Sequence, residues 1–186
     1  GVGRRREAER AVQDYGKGGS RQIVALRGDA AEGEERYPAY PGGYACAADL
    51  VEGLRRVADF EISVAAYPEV HPEATSGQAD LDNLKRKIDA GATRAITQYF
   101  FDEQVYLRFV DRARAAGIDV PIVPGILPVT NYAQVAKFSA ACGASVPRWL
   151  ADLFEGLDRE PETRRLVAAT VAAQQCRVLQ ANGIDQ

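Results

Sequence analysis

Four short runs of β-branched, aromatic and small residues punctuate the chain, and each gives way to polar residues and then to a helical segment. They are Arg21 to Leu26, Phe60 to Tyr67, Arg94 to Phe100 and Pro121 to Val129. A strand followed each time by a helix meets the next strand in parallel, because the helix carries the chain back to its starting edge. The rhythm predicts an α/β fold whose chemistry lies at the carboxyl ends of the strands. The fourth run contains Pro121, Pro124 and Pro128, which suits a barrel strand at a bend better than the centre of a flat sheet. Helices are expected over Arg4 to Tyr15, Ala45 to Ala58, Asp102 to Ala116, Asn131 to Ala141, Pro147 to Phe154 and about Pro161 to Asn182, with another whose first turn carries Asp80.

Composition narrows the function. A chain of 186 residues with 46% hydrophobic and 26% charged residues is one globular domain, spanning residues 1–186. A net charge of −3 offers no basic footprint for nucleic acid, and no apolar run is long enough to span a bilayer. With no signal-peptide pattern either, the expected location is the cytoplasm. The three cysteines, Cys46, Cys142 and Cys176, are scattered and form no CxxC pair, and His71 is the single histidine, so no metal site is expected. Neither a dinucleotide glycine fingerprint nor a phosphate P-loop occurs, and no nucleophile elbow accompanies His71. No lysine stands at a strand end where an aldolase would form its Schiff base. Methionine is absent even from position 1, which predicts that these residues are part of a longer chain.

The richest stretch runs from Phe60 to Gly91: a strand, a loop pinned by Pro68 and Pro72 around His71, then a helix. Leu81, Leu84 and Ile88 recur at the spacing of a buried face, while Asp80, Asn83 and Lys87 form a second stripe with Arg86 beside it. Such a stripe either solvates the outer face of a covering helix or binds an elongated ligand bearing hydroxyls and phosphates, since carboxylates accept from ribose and cations neutralise phosphate. After the first strand, Arg27 and Asp29 continue on the side of Ile23 and Ala25, and the loop from Ala30 to Gly43 is long enough to be a ligand-binding segment. Gln98 shares a side of its strand with Ile96 and Phe100.

The runs IVALRGD (Ile23 to Asp29), ISVAAYPEVHPEA (Ile62 to Ala74), ADLDNLKRKIDAGATRAITQYFFD (Ala79 to Asp102) and IVPGILPV (Ile122 to Val129) closely resemble bacterial methylenetetrahydrofolate reductase. The resemblance covers essentially the whole chain. It implies an FAD-containing TIM (β/α)8 barrel that reduces 5,10-methylenetetrahydrofolate to 5-methyltetrahydrofolate with NADH or NADPH, in one-carbon metabolism and methionine synthesis. Hydride would pass through FAD in a ping-pong cycle. Relatives in bacteria associate, so a homo-oligomer is implied.

By the same resemblance the flavin-binding positions are Arg27, Gly28, Asp29, Ala47, Tyr67, His71, Ala74, Asp80, Asn83, Arg86 and Lys87. Cys46 stands where members of the family often carry a tyrosine beside the flavin. Folate or nicotinamide contacts fall on Asp29, Gln98, Gln134 and Phe138. Asp29 is the implied catalytic residue: a carboxylate there disfavours an anionic reduced flavin and favours a cationic form of the folate, tuning hydride transfer electrostatically. Gln98 could donate to and accept from a pterin edge, and Phe138 could stack on either substrate. The chain supplies about four to five of the barrel's β/α units. The strands that precede Arg4 in the family carry its general-acid glutamate, and the last strand carries a substrate-binding arginine; neither lies within these residues. An alternative is therefore a catalytically silent folate- or flavin-binding homologue or partner subunit, and a genuine half-barrel completed by another chain is a further one.

Overall fold

A computed structural model describes residues 5–26 and 41–185. Four strands form one parallel sheet in the order β1 (Gln22–Ala25), β2 (Glu61–Ala66), β3 (Arg94–Tyr99) and β4 (Ile122–Gly125). The helices are α1 (Arg5–Lys17), α2 (Ala47–Val57), α3 (Gly77–Asp89), α4 (Glu103–Ala115), α5 (Tyr132–Cys142), α6 (Arg148–Phe154) and α7 (Pro161–Ala181). A 3-10 turn over Leu157–Arg159, which the sequence rhythm does not announce, joins α6 to α7.

Register explains why one face of the sheet is dry. Ala25 pairs with Val64, Val64 with Ala95, and Ala95 with Ile122, so four apolar side chains line up across the strands. They meet Val51 and Leu54 of α2, Leu81 and Leu84 of α3, Tyr106 and Phe109 of α4, and Leu179 of α7 in one core. A second core gathers Tyr99, Phe101, Val129, Val135, Leu150 and Phe154 around α5 and α6. Buried Gln175 of α7 donates to the Phe100 carbonyl at 2.7 Å, tying the last helix to the end of β3.

Two expectations need correction. The fourth run is a strand only over Ile122–Gly125, not to Val129. Its ladder with β3 slips between Ile96 and Tyr99, where the Gly125 N–H donates to the Thr97 hydroxyl at 2.9 Å. Beyond it Pro128 has no N–H to offer. In the first run, β1 covers only Gln22–Ala25, with Ile23 and Ala25 packed toward the helix-covered core, and Arg27 and Asp29 lie outside the described residues. Phe100 lies past the end of β3 and turns into the helix-side core, and does not share the side of Ile96 and Gln98.

Candidate functional site

Helix α3 carries both stripes of the Phe60 to Gly91 stretch. Ser76 caps it, its hydroxyl accepting from the Ala79 N–H at 3.1 Å, and this sets the angle at which the helix leaves the loop. Leu81 and Leu84 face the core, as their spacing predicts. The second stripe is not solvated: Asp80 and Asn83 are half-buried and Lys87 is only 5% exposed. A lysine that merely coated a surface helix would keep its ammonium in water. Here the ammonium donates to the Ala65 carbonyl of β2. Burial pulls its pKa down to about 8, with Asp80 opposing that shift, Arg86 adding to it and Cys46 opposing it.

The loop before α3 is folded around His71. Its backbone N–H donates to the Asp80 carboxylate at 3.0 Å, and its Nδ1 accepts from the Glu73 N–H at 3.0 Å. With Nδ1 used as an acceptor, a neutral imidazole carries its proton on Nε2 and presents a donor. The Tyr67 ring meets the imidazole edge-on, with centroids 4.5 Å apart. Arg86 donates to the Asn83 side chain at 3.0 Å.

These groups line a cleft of about 400 Å3 at the carboxyl ends of β1 and β2. It contains Ala47, Tyr67, His71, Ala74, Asp80, Asn83, Arg86 and Lys87, every expected flavin position within the described residues. Arg27, Gly28 and Asp29 lie outside the described residues. Cys46 and Ala65 of β2 also line the cleft, together with Glu73 and Thr75, two loop residues that no spacing in the sequence singles out because loop turns set their directions. A second cleft of about 550 Å3 adjoins it and shares Leu26, Ala65, Tyr67, His71 and Glu73. Gln98 and Phe138 line this one, beside Val24, Ile96 and Cys142. Gln134 does not reach either cleft: it is exposed in the first turn of α5, where its backbone N–H is capped by Asn131 at 3.1 Å.

The second cleft has a rigid wall. Phe138 stacks on Tyr99 with ring centroids 6.0 Å apart, and the Tyr99 hydroxyl lies 2.8 Å from Ser139 Oγ. Burial, with the neighbouring Cys142, pushes the Tyr99 hydroxyl up to about 12, so it stays protonated. Gln98 takes the Tyr99 N–H on its carbonyl oxygen at 3.1 Å, which leaves its amide nitrogen as the group to donate.

Residues 3–186 match the sequence model of the family described as methylenetetrahydrofolate reductase. The chain belongs to the methylenetetrahydrofolate reductase family. It is 54% identical to the 5,10-methylenetetrahydrofolate reductase of Pectobacterium carotovorum over 97% of its own length and 58% of that protein's. The Escherichia coli enzyme is also 54% identical, over 96% of this chain and 58% of its own. The chain thus spans less than two thirds of these curated methylenetetrahydrofolate reductases. Among solved structures, an uncharacterized Clostridium thermocellum protein that binds two copies of 5-methyl-5,6,7,8-tetrahydrofolic acid aligns with a TM-score of 0.55. At 16% identity, over 98% of this chain and 61% of that one, this is a likeness of fold.

Proposed function

We propose that the first cleft holds FAD, that the second receives a folate and a nicotinamide in turn, and that the complete protein reduces 5,10-methylenetetrahydrofolate to 5-methyltetrahydrofolate with NADH or NADPH. The observation that carries the reading is the buried ammonium of Lys87 at the wall of a cleft whose other polar groups suit a dinucleotide. The donor set fits the group. Lys87 and Arg86 offset diphosphate charge, and the imidazole supplies a directed N–H. Asp80 keeps acceptor capacity for ribose hydroxyls beyond its bond to the His71 N–H. Tyr67 gives a flat apolar surface whose edge contact with His71 restrains it.

When bound, the flavin supplies reversible hydride carriage between the pyridine nucleotide and the folate. The chain's own residues bind and orient. The Gln98 amide donates to a pterin edge, and the ring of Phe138, 55% exposed, offers a stacking platform for either substrate. One shared cleft for two substrates gives a ping-pong order. Asp29 remains the proposed electrostatic tuner. The (β/α)8 barrel belongs to the same reading: neighbours follow chain order and helices cover one face, as in a barrel, whereas a doubly wound sheet reverses its order and carries helices on both faces. A homo-oligomer is part of it too.

The test is spectroscopic. The complete polypeptide should be yellow, bleach anaerobically with NADH or NADPH, and regain its colour with methylenetetrahydrofolate. Bleaching without recovery would favour the silent flavin-binding homologue. A protein that is colourless and takes up no added FAD would overturn the reading.

A further inference from the structure

The loop that carries His71 is fastened to α3 through Asp80, but it has a second fastening on the far side. Glu69 follows the buried Pro68 and precedes His71 by two residues. Its carboxylate accepts from the Ser145 N–H at 2.8 Å and from the Ser145 hydroxyl at 2.6 Å, across 76 positions of sequence. Ser145 sits in the short link between α5 and α6. Beside it Gly143 ends α5 at φ +74°, and a Cβ there would stand 3.0 Å from the Val70 carbonyl and 3.3 Å from the Pro72 ring. The space left under this seam is about 10 Å3, room for no more than a single water. The loop and the end of α5 therefore meet without slack.

Those two segments are adjoining walls of the second cleft. His71, Pro72 and Glu73 line it from the loop, and Phe138, Ala141 and Cys142 line it from α5. We infer that the Glu69 and Ser145 pair is a latch that fixes the width of this cleft and so positions the substrate against Phe138. The inference rests on the flavin and folate reading above. Glu69 touches no reacting atom in it and is a positioning residue. A carboxylate suits the task because two donors converge on it and each bond is charge-assisted. Small displacements of a positioning group weaken a productive complex severalfold or more.

The experiment uses the complete flavin-loaded enzyme with Glu69→Gln, Ser145→Ala and the double variant. Glutamine has one carbonyl oxygen for two donors, so the latch is halved without removing the side chain's bulk. The expected result is an apparent KM for methylenetetrahydrofolate raised about three- to tenfold, the net scale of one ordinary hydrogen bond. kcat, flavin affinity and the melting midpoint should change far less. The double variant should be no worse than the poorer single one, because the two residues act as a unit. Amide exchange at Val70 and Ser145 should quicken together in both variants, loaded or not. An unchanged KM, or a KM that worsens only in step with flavin loss and melting, would overturn the latch. A yellow enzyme indifferent to Glu69→Gln sinks the latch alone, while a protein that takes no FAD sinks the reading beneath it.

Discussion

At the scale of the residue, Lys87 carries most of the proposal. Its ordinary value of 10.5 falls to about 8 in the fold, chiefly through burial. Between those values the unfolded chain binds the extra proton and the folded one does not, so the ligand-free protein gains stability as pH rises from about 8 to 10.5. Flavin binding runs the other way, since a diphosphate prefers the protonated amine. Affinity for FAD should fall by up to about tenfold between pH 7 and pH 9, a slope of one proton, when titrated by flavin fluorescence quenching. Lys87→Gln should bind more weakly at pH 7 and lose that slope; a variant with the wild-type pH profile would remove the lysine from the site. A different outcome is expected of Asp29→Asn. It should slow folate reduction more than NADH oxidation in stopped-flow half-reactions, and equal slowing of both would refute the tuning role. The i, i+3, i+7 spacing of Asp80, Asn83 and Lys87 was legible in the sequence, but not its burial. A charged stripe looks the same whether it faces water or a cleft, and only the packing of α3 against β2 decides.

At the scale of the element, helix and strand positions were readable to within a few residues wherever the apolar period was strong, as in α3, β3 and α4. β4 was not, because its end is set by a partner. The Cβ of any residue other than glycine at position 125 would stand 2.3 Å from the Thr97 carbonyl, so β3 and β4 can close only over a glycine. Gly125→Ala should cost about 1–3 kcal/mol, the range for forced overpacking, measured by urea unfolding; a loss below the error of that measurement would show that the strands can part freely. The same logic hid the Glu69 and Ser145 contact and the exposure of Gln134. Neither follows from a repeat along one element, since both depend on how α5 is docked against the rest.

At the scale of the molecule, β1 and β4 each have a single neighbour among the described residues, and Val24 on β1 is 55% exposed. Unpaired parallel edges recruit partners. Expressed as these 186 residues alone, the chain should associate with rising concentration in sedimentation velocity runs, and a monomer at every concentration would contradict this. The parallel order was readable from the strand and helix rhythm, whereas the division of labour between clefts was not, because Phe138 and the His71 loop meet only in three dimensions. That division has a consequence for divergence. Apart from Ala25 and Leu26, the first cleft is drawn from the contiguous stretch between Cys46 and Lys87, while the second borrows Gln98 and the distant α5. Under the proposed reading most of the electron carrier's berth is one run of chain, and a descendant could trade its acceptor by remodelling later repeats while keeping that run.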